Sequence, residues 1–128
     1  MINKLLKGII GGLVCAGAVA VAPTADAGFL IGTQKIVRIA MSNDSGVLAY
    51  VEFDGSRTGN PACASGQPKR FIFDTSTARG KALLSMLTAA MYAQRPVYAT
   101  GTNTCSTASF ADANSQSIEN LRAATVER

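Results

Sequence analysis

Residues 34–53 read QKIVRIAMSNDSGVLAYVEF and contain the strongest fold signal of the chain. Apolar and polar residues alternate over residues 34–41 and again over residues 47–53, which predicts two β-strands. Between them, residues 42–46 are a dense cluster of turn-forming residues. The sequence therefore predicts a β-hairpin. The residues expected on one apolar face of each strand are Val37, Ile39, Met41, Val47, Ala49, Val51 and Phe53.

The next elements along the chain are a loop, a short strand and a helix. Residues 54–68 are rich in glycine and proline and predict a loop, and Arg70–Asp74 predicts a third strand. Thr77 is the preferred N-cap of a helix over residues 78–94. At 100° per residue, its apolar side chains fall on one broad arc. They are Leu83, Leu84, Met86, Leu87, Ala90 and Met91.

The chain after the helix predicts two further strands. Residues 96–101 alternate and predict a fourth strand, whereas residues 102–116 are small and polar and predict a loop. Residues 117–126 predict a closing strand, although Ile118 and Leu121 break the alternation, so a bulge or a short helix stays open there. The predicted order is β-β-β-α-β-β. A mainly β fold with one helix in this order indicates a five-stranded barrel like the OB-fold.

The N-terminal residues 1–27 have the pattern of a secretory signal peptide. Lys4 and Lys7 precede an apolar run of 15 residues at positions 8–22, and residues 25–27 form an A-x-A cleavage site. This run is shorter than the roughly 18 residues that a membrane span needs. A retained anchor and a lipid on Cys15 are weaker alternatives. We expect cleavage after Ala27, one domain at residues 28–128, no membrane span after cleavage, and a secreted or periplasmic location.

The cysteine count predicts a disulfide. Loss of the signal removes Cys15 and leaves Cys63 and Cys105, which an oxidising compartment would join, with free thiols as the alternative. Because the chain has no histidine, two cysteines cannot complete a tetrahedral zinc site, and we expect neither a metal nor a cofactor. The expected domain carries ten basic and seven acidic residues, a net charge of +3 that does not indicate nucleic-acid binding.

Motifs for catalysis are weak in this chain. Without histidine, no nucleophile and base stand in a recognisable spacing, so no catalytic residue is predicted. Glu52 and Asp54 are the one carboxylate pair that could serve a hydrolase, yet two acids at a strand edge are typically solvated charges. The turn is better suited to binding, because hydroxyl, amide and carboxylate groups crowd together there. Its candidate ligand-binding residues are Ser42, Asn43, Asp44 and Ser45.

Three segments resemble a family of small exported bacterial proteins. They are DGSRTGNPACAS at residues 54–65, RFIFDTST at residues 70–77 and GTNTC at residues 101–105. This family is similar to the binding subunits of subtilase cytotoxin and typhoid toxin. From Ser106 onward, the sequence departs from the pattern.

The resemblance implies an OB-fold, a pentameric ring and binding of sialylated glycans through a serine near the first hairpin. That serine corresponds to the region from Ser42 to Ser45 without a match to one residue. We therefore expect a non-enzymatic domain that binds a glycan or a protein, with a periplasmic structural role as the alternative.

Overall fold

A computed structural model describes residues 27–44 and 46–128. The predicted signal peptide, apart from Ala27, lies outside the described residues, and so does Ser45. The elements are β1 (Phe29–Leu30), β2 (Ile36–Met41), β3 (Leu48–Phe53), β4 (Arg57–Thr58), a 3-10 turn (Ala62–Ala64), β5 (Arg70–Asp74), α1 (Ala78–Tyr92), β6 (Val97–Phe110) and β7 (Ala113–Val126). No helix among the described residues is long and apolar enough to cross a membrane.

The strands form one mixed, seven-stranded sheet. Their order is β2-β3-β5-β7-β6-β1-β4, and the β5–β7 pair is parallel while the other pairs are antiparallel. Gln34, just before β2, makes an isolated antiparallel bridge to Val97 at the start of β6. Its two backbone hydrogen bonds measure 2.8 and 2.7 Å. The sheet is therefore curved, so that the chain just before β2, the edge strand, pairs with the start of β6.

The predicted hairpin is confirmed as β2 and β3, which pair from Arg38↔Glu52 to Met41↔Ala49. The predicted facing of β2 is wrong at its start. The register shifts between Ile36 and Arg38, so Ile36 is buried while Val37 is 55% exposed. The shift has a physical reason: an extra residue in one strand reverses the side on which the following side chains point.

The third strand and the helix agree with the prediction. β5 occupies Arg70–Asp74, and Thr77 caps α1 by accepting a hydrogen bond of 2.9 Å from the backbone N–H of Gly80 at its hydroxyl. The helix ends at Tyr92, two residues before the predicted end, and Gln94 has a positive φ of 54°. An α-helix cannot continue through that conformation.

The loop predicted at residues 102–116 is wrong. β6 and β7 are 14 residues each and pair as one long hairpin that turns at residues 111–112, with register shifts between Thr100 and Gly101, between Gly101 and Cys105, and between Ala108 and Phe110. The small polar residues here have no hydrophobic period, yet residues 105–108 pair with residues 116–119, and Phe110 pairs with Ala113, across the hairpin. The predicted closing strand thus begins at Ala113 instead of residue 117. With the two-residue strands β1 and β4, the sheet has seven strands where five were predicted.

The long hairpin creates a second apolar cluster on the opposite side of the sheet. The main core lies under α1 and contains Ala49, Val51, Phe53, Phe71, Phe73, Leu87 and Ala90, among others. The second cluster contains Tyr50, Ile72, Ala108, Phe110 and Ile118. Successive residues of β3 and β5 point to opposite faces. The distal half of the hairpin therefore covers a face that would otherwise meet solvent.

The predicted disulfide between Cys63 and Cys105 is confirmed. Their Cα atoms lie 6.2 Å apart. The bond joins the 3-10 turn at Ala62–Ala64 to the middle of β6. It thereby attaches the long segment between β4 and β5 to the hairpin.

Candidate binding surface

Ser42, the first residue of the predicted binding turn, makes hydrogen bonds within and across the turn. Ser42 is 7% exposed, its N–H donates to the Leu48 carbonyl at 2.7 Å, and its Oγ accepts from the N–H of Asp44 at 3.2 Å. The Ser42 hydroxyl therefore has a structural partner inside the turn. Asn43 and Asp44 are exposed, while Ser45 lies outside the described residues.

The turn is also attached to the end of β6. Asn43 donates its N–H to the Ser109 carbonyl at 2.8 Å, and Asp44 Oδ2 accepts from the Ser109 N–H at 2.9 Å. The Asn43 side chain makes no hydrogen bond with any described residue. Two hydrogen bonds, one from the backbone of Asn43 and one to the side chain of Asp44, thus attach the turn to β6, and the carboxamide of Asn43 is exposed.

A charged cluster that the sequence reasoning missed surrounds Asp112, at the tip of the hairpin formed by β6 and β7. Asp112 Oδ2 accepts from Arg38 NH1 at 2.8 Å, from Arg70 NH2 at 2.8 Å and from the Tyr50 hydroxyl at 2.7 Å. The hydrogen bond from Tyr50 and the nearby Arg70 lower the pKa of Asp112. Burial, followed by the hydrogen bond to Asp112, raises the pKa of Tyr50. Asp112 therefore stays ionised and Tyr50 neutral near pH 7.

Aromatic and ionic contacts pack this cluster tightly. The Arg70 guanidinium lies 4.3 Å from the centre of the Tyr50 ring, and that ring meets Phe110 edge to face at 4.7 Å. Arg70 Nε also pairs with Glu52 Oε2 at 3.0 Å. Only Arg38 reaches well into solvent, with 51% of its side chain exposed. The cluster can therefore offer a ligand the free N–H groups of one fixed cation.

The carboxylates of Glu52 and Asp54 have separate partners. Glu52 pairs with Arg70, whereas exposed Asp54 accepts from the backbone N–H of Lys35 at 3.1 Å. Within residues 27–44 and 46–128, no group of three or more histidine, cysteine or acidic side chains could hold a metal ion.

A groove lies beside α1, and its lining differs chemically from the polar contacts described above. Two adjoining depressions share Arg79 and Leu83, and the larger one has a volume of about 290 Å³. The larger depression is lined by Arg79, Ala82, Leu83, Met86, Ala123 and Ala124. It is mainly apolar, in contrast to the hydrogen-bonding groups of the turn.

One further ion pair, between Arg57 and Glu119, is fully buried. Arg57 NH1 lies 2.9 Å from Glu119 Oε2, and the two side chains are 1% and 0% exposed. The Arg57 guanidinium lies 4.5 Å from the centre of the Phe71 ring, and burial lowers the pKa of Arg57. Sequence reasoning missed this pair because a single arginine and a single glutamate on different strands carry no local signal of burial.

Comparison with protein-family models, with curated proteins and with solved structures found no match for this chain. The resemblance to toxin binding subunits therefore stays a prediction.

Proposed function

We propose that this protein is an exported, non-enzymatic binding domain that contacts a glycan through the turn at residues 42–46. The observation that carries the proposal is the double attachment of this turn to Ser109, at 2.8 and 2.9 Å, with the side chain of Asn43 exposed. A turn that is ordered before binding loses less conformational entropy when a ligand arrives.

The exposed groups suit a sugar chemically. The Asn43 carboxamide carries both donors and an acceptor, and Arg38 carries several N–H donors, so together they can match hydroxyl and carboxylate groups. Asp112 Oδ2 accepts from Arg38 NH1, and the Tyr50 hydroxyl donates to the same oxygen, so Arg38 is anchored at one end. These groups belong to elements that meet at the tip of one hairpin, as expected of a binding surface on a rigid scaffold.

The proposal includes an OB-fold-like barrel. Its support is the order of the five longer strands, β2-β3-β5-β7-β6, together with the bridge from Gln34 to Val97 that brings β2 to β6. Folds of this class use strand faces and loops to bind oligosaccharides. The signal-like sequence of residues 1–27 supports export, and the family resemblance supports a homo-oligomer such as a pentamer.

A glycan array tests the proposal, with protein recovered after export of the full chain and its molar mass measured by light scattering. We expect selective glycan binding that falls at least tenfold in Asn43→Ala. Ser85→Ala, an exposed serine on α1, is the matched control and should bind like the wild type. An exported, folded protein that binds no glycan would contradict the proposal and favour a structural role.

A further inference from the structure

The carboxylate of Glu119 is the most completely enclosed charge that the structure describes. Its Oε1 accepts hydrogen bonds from the backbone N–H groups of Gly28, at 2.9 Å, and Asn103, at 2.8 Å. Its Oε2 pairs with Arg57. The Gly28 bond spans 91 positions of the chain, so it joins the first residue of the expected mature domain to its last strand.

The backbone at Gly28 is held in place by more than this bond. Its carbonyl accepts from the N–H of Gly101 at 2.6 Å, and Phe29 pairs with both Thr58 and Thr100. A Cβ at position 28 would lie 2.5 Å from Glu119 Oε2, so a larger residue would displace the contact. The backbone of Gly28, which directly follows the A-x-A pattern of residues 25–27, is therefore bound to the folded domain.

We propose that signal removal after Ala27 places the new α-amino group on Glu119 as a buried ion pair. Water cleaves the Ala27–Gly28 peptide bond: the Ala27 carbonyl carbon takes the hydroxyl, and the Gly28 nitrogen becomes an amine that binds a proton from solvent. A neutral amide donor thus becomes an ammonium at the same carboxylate. This inference rests on the proposed export of the chain.

The two oxygens of the Glu119 carboxylate have different partners, and this affects how tightly the new α-amine binds its proton. The ammonium meets Oε1 at hydrogen-bond distance, and Arg57 pairs with Oε2. Arg57 NH1 also lies 3.2 Å from where a Cβ on Gly28 would stand, so its charge opposes that of the ammonium, whereas the carboxylate is in direct contact with the nitrogen and attracts it. Cleavage gives the donor a full positive charge, which adds a Coulombic attraction to a hydrogen bond whose acceptor is already an ionised carboxylate. Ala27 is half-buried, so the remaining ammonium protons can reach water at the entry of the chain. The mature α-amine should therefore bind its proton more tightly than an ordinary N-terminus, whose pKa is about 7.7–8.0.

The test begins with the exported protein. Mass spectrometry of the purified mature chain should give Gly28 as its first residue. The ¹³C shift of the Gly28 Cα, followed against pH, should then report at least tenfold tighter proton binding in the folded protein than in the same protein in urea. This comparison needs no variant, so a mutant that fails to fold cannot obscure it.

Two variants and one control locate the cause. Glu119→Gln and Gly28→Ala should bring proton binding by the α-amine back to within about threefold of the urea value. Glu127→Gln, an exposed glutamate near the other terminus, should leave it unchanged. An exported chain cut at another bond, or a Gly28 amine that titrates alike in folded and urea-unfolded protein, would overturn this inference alone. An exported chain that is never cut would likewise overturn this inference alone, whereas a chain that stays inside the cell would overturn the proposed export as well.

Discussion

The disulfide between Cys63 and Cys105 gives the sharpest stability prediction. It closes a loop with a sequence separation of 42 residues. In the chain-entropy model, closing a loop of that length stabilises the folded state by about 4 kcal/mol, because it restricts the unfolded chain. For a domain of about 100 residues, 1 kcal/mol corresponds to roughly 4–8 °C in Tm. The double variant Cys63→Ser with Cys105→Ser should therefore melt roughly 15–30 °C below the wild type.

The assay is thermal unfolding of the exported protein, followed by circular dichroism. Cys63 is exposed and Cys105 half-buried, so dithiothreitol should reach the bond and lower the wild-type Tm to that of the double variant. Ser65→Ala, an exposed position beside the same 3-10 turn, should change stability by less than about 0.5 kcal/mol. A double variant that melts within about 5 °C of the wild type would refute the entropic reasoning.

Two further predictions concern the long hairpin. Phe110→Ala should destabilise the protein by about 3–5 kcal/mol in urea unfolding, because Phe110 is 1% exposed in the second cluster. Phe29→Ala is the control: Phe29 is 41% exposed, so its loss should destabilise the protein much less. Equal losses of stability in the two variants would contradict this packing. Asp112, whose pKa is lowered in the folded state, should stabilise the protein fully above its unfolded pKa of about 3.9, and this stabilisation should be lost as the pH falls through the folded pKa. The stability difference between wild type and Asp112→Asn should therefore shrink from pH 5 to pH 2, and a difference independent of pH would contradict the role of the ionised carboxylate.

The sequence by itself determined the elements that local chemistry encodes. Alternating residues in 34–53 predicted the hairpin because one face of each strand must be buried, and Thr77 marked the helix start because its hydroxyl can satisfy a free N–H. Two cysteines left after the expected cleavage predicted their own pairing. For the candidate site, the sequence indicated the polar turn, although it could not show that the Ser42 hydroxyl bonds within the turn.

Only the tertiary structure decided the role of residues 102–116 and of the charged groups. Small polar residues have no preferred face, so pairing across the hairpin, and not an apolar period, makes them a strand. Asp112 meets Tyr50 from 62 positions away, and Glu119 meets Gly28 from 91. A charge is buried when distant partners neutralise it, and that condition exists only after the strands have been brought together.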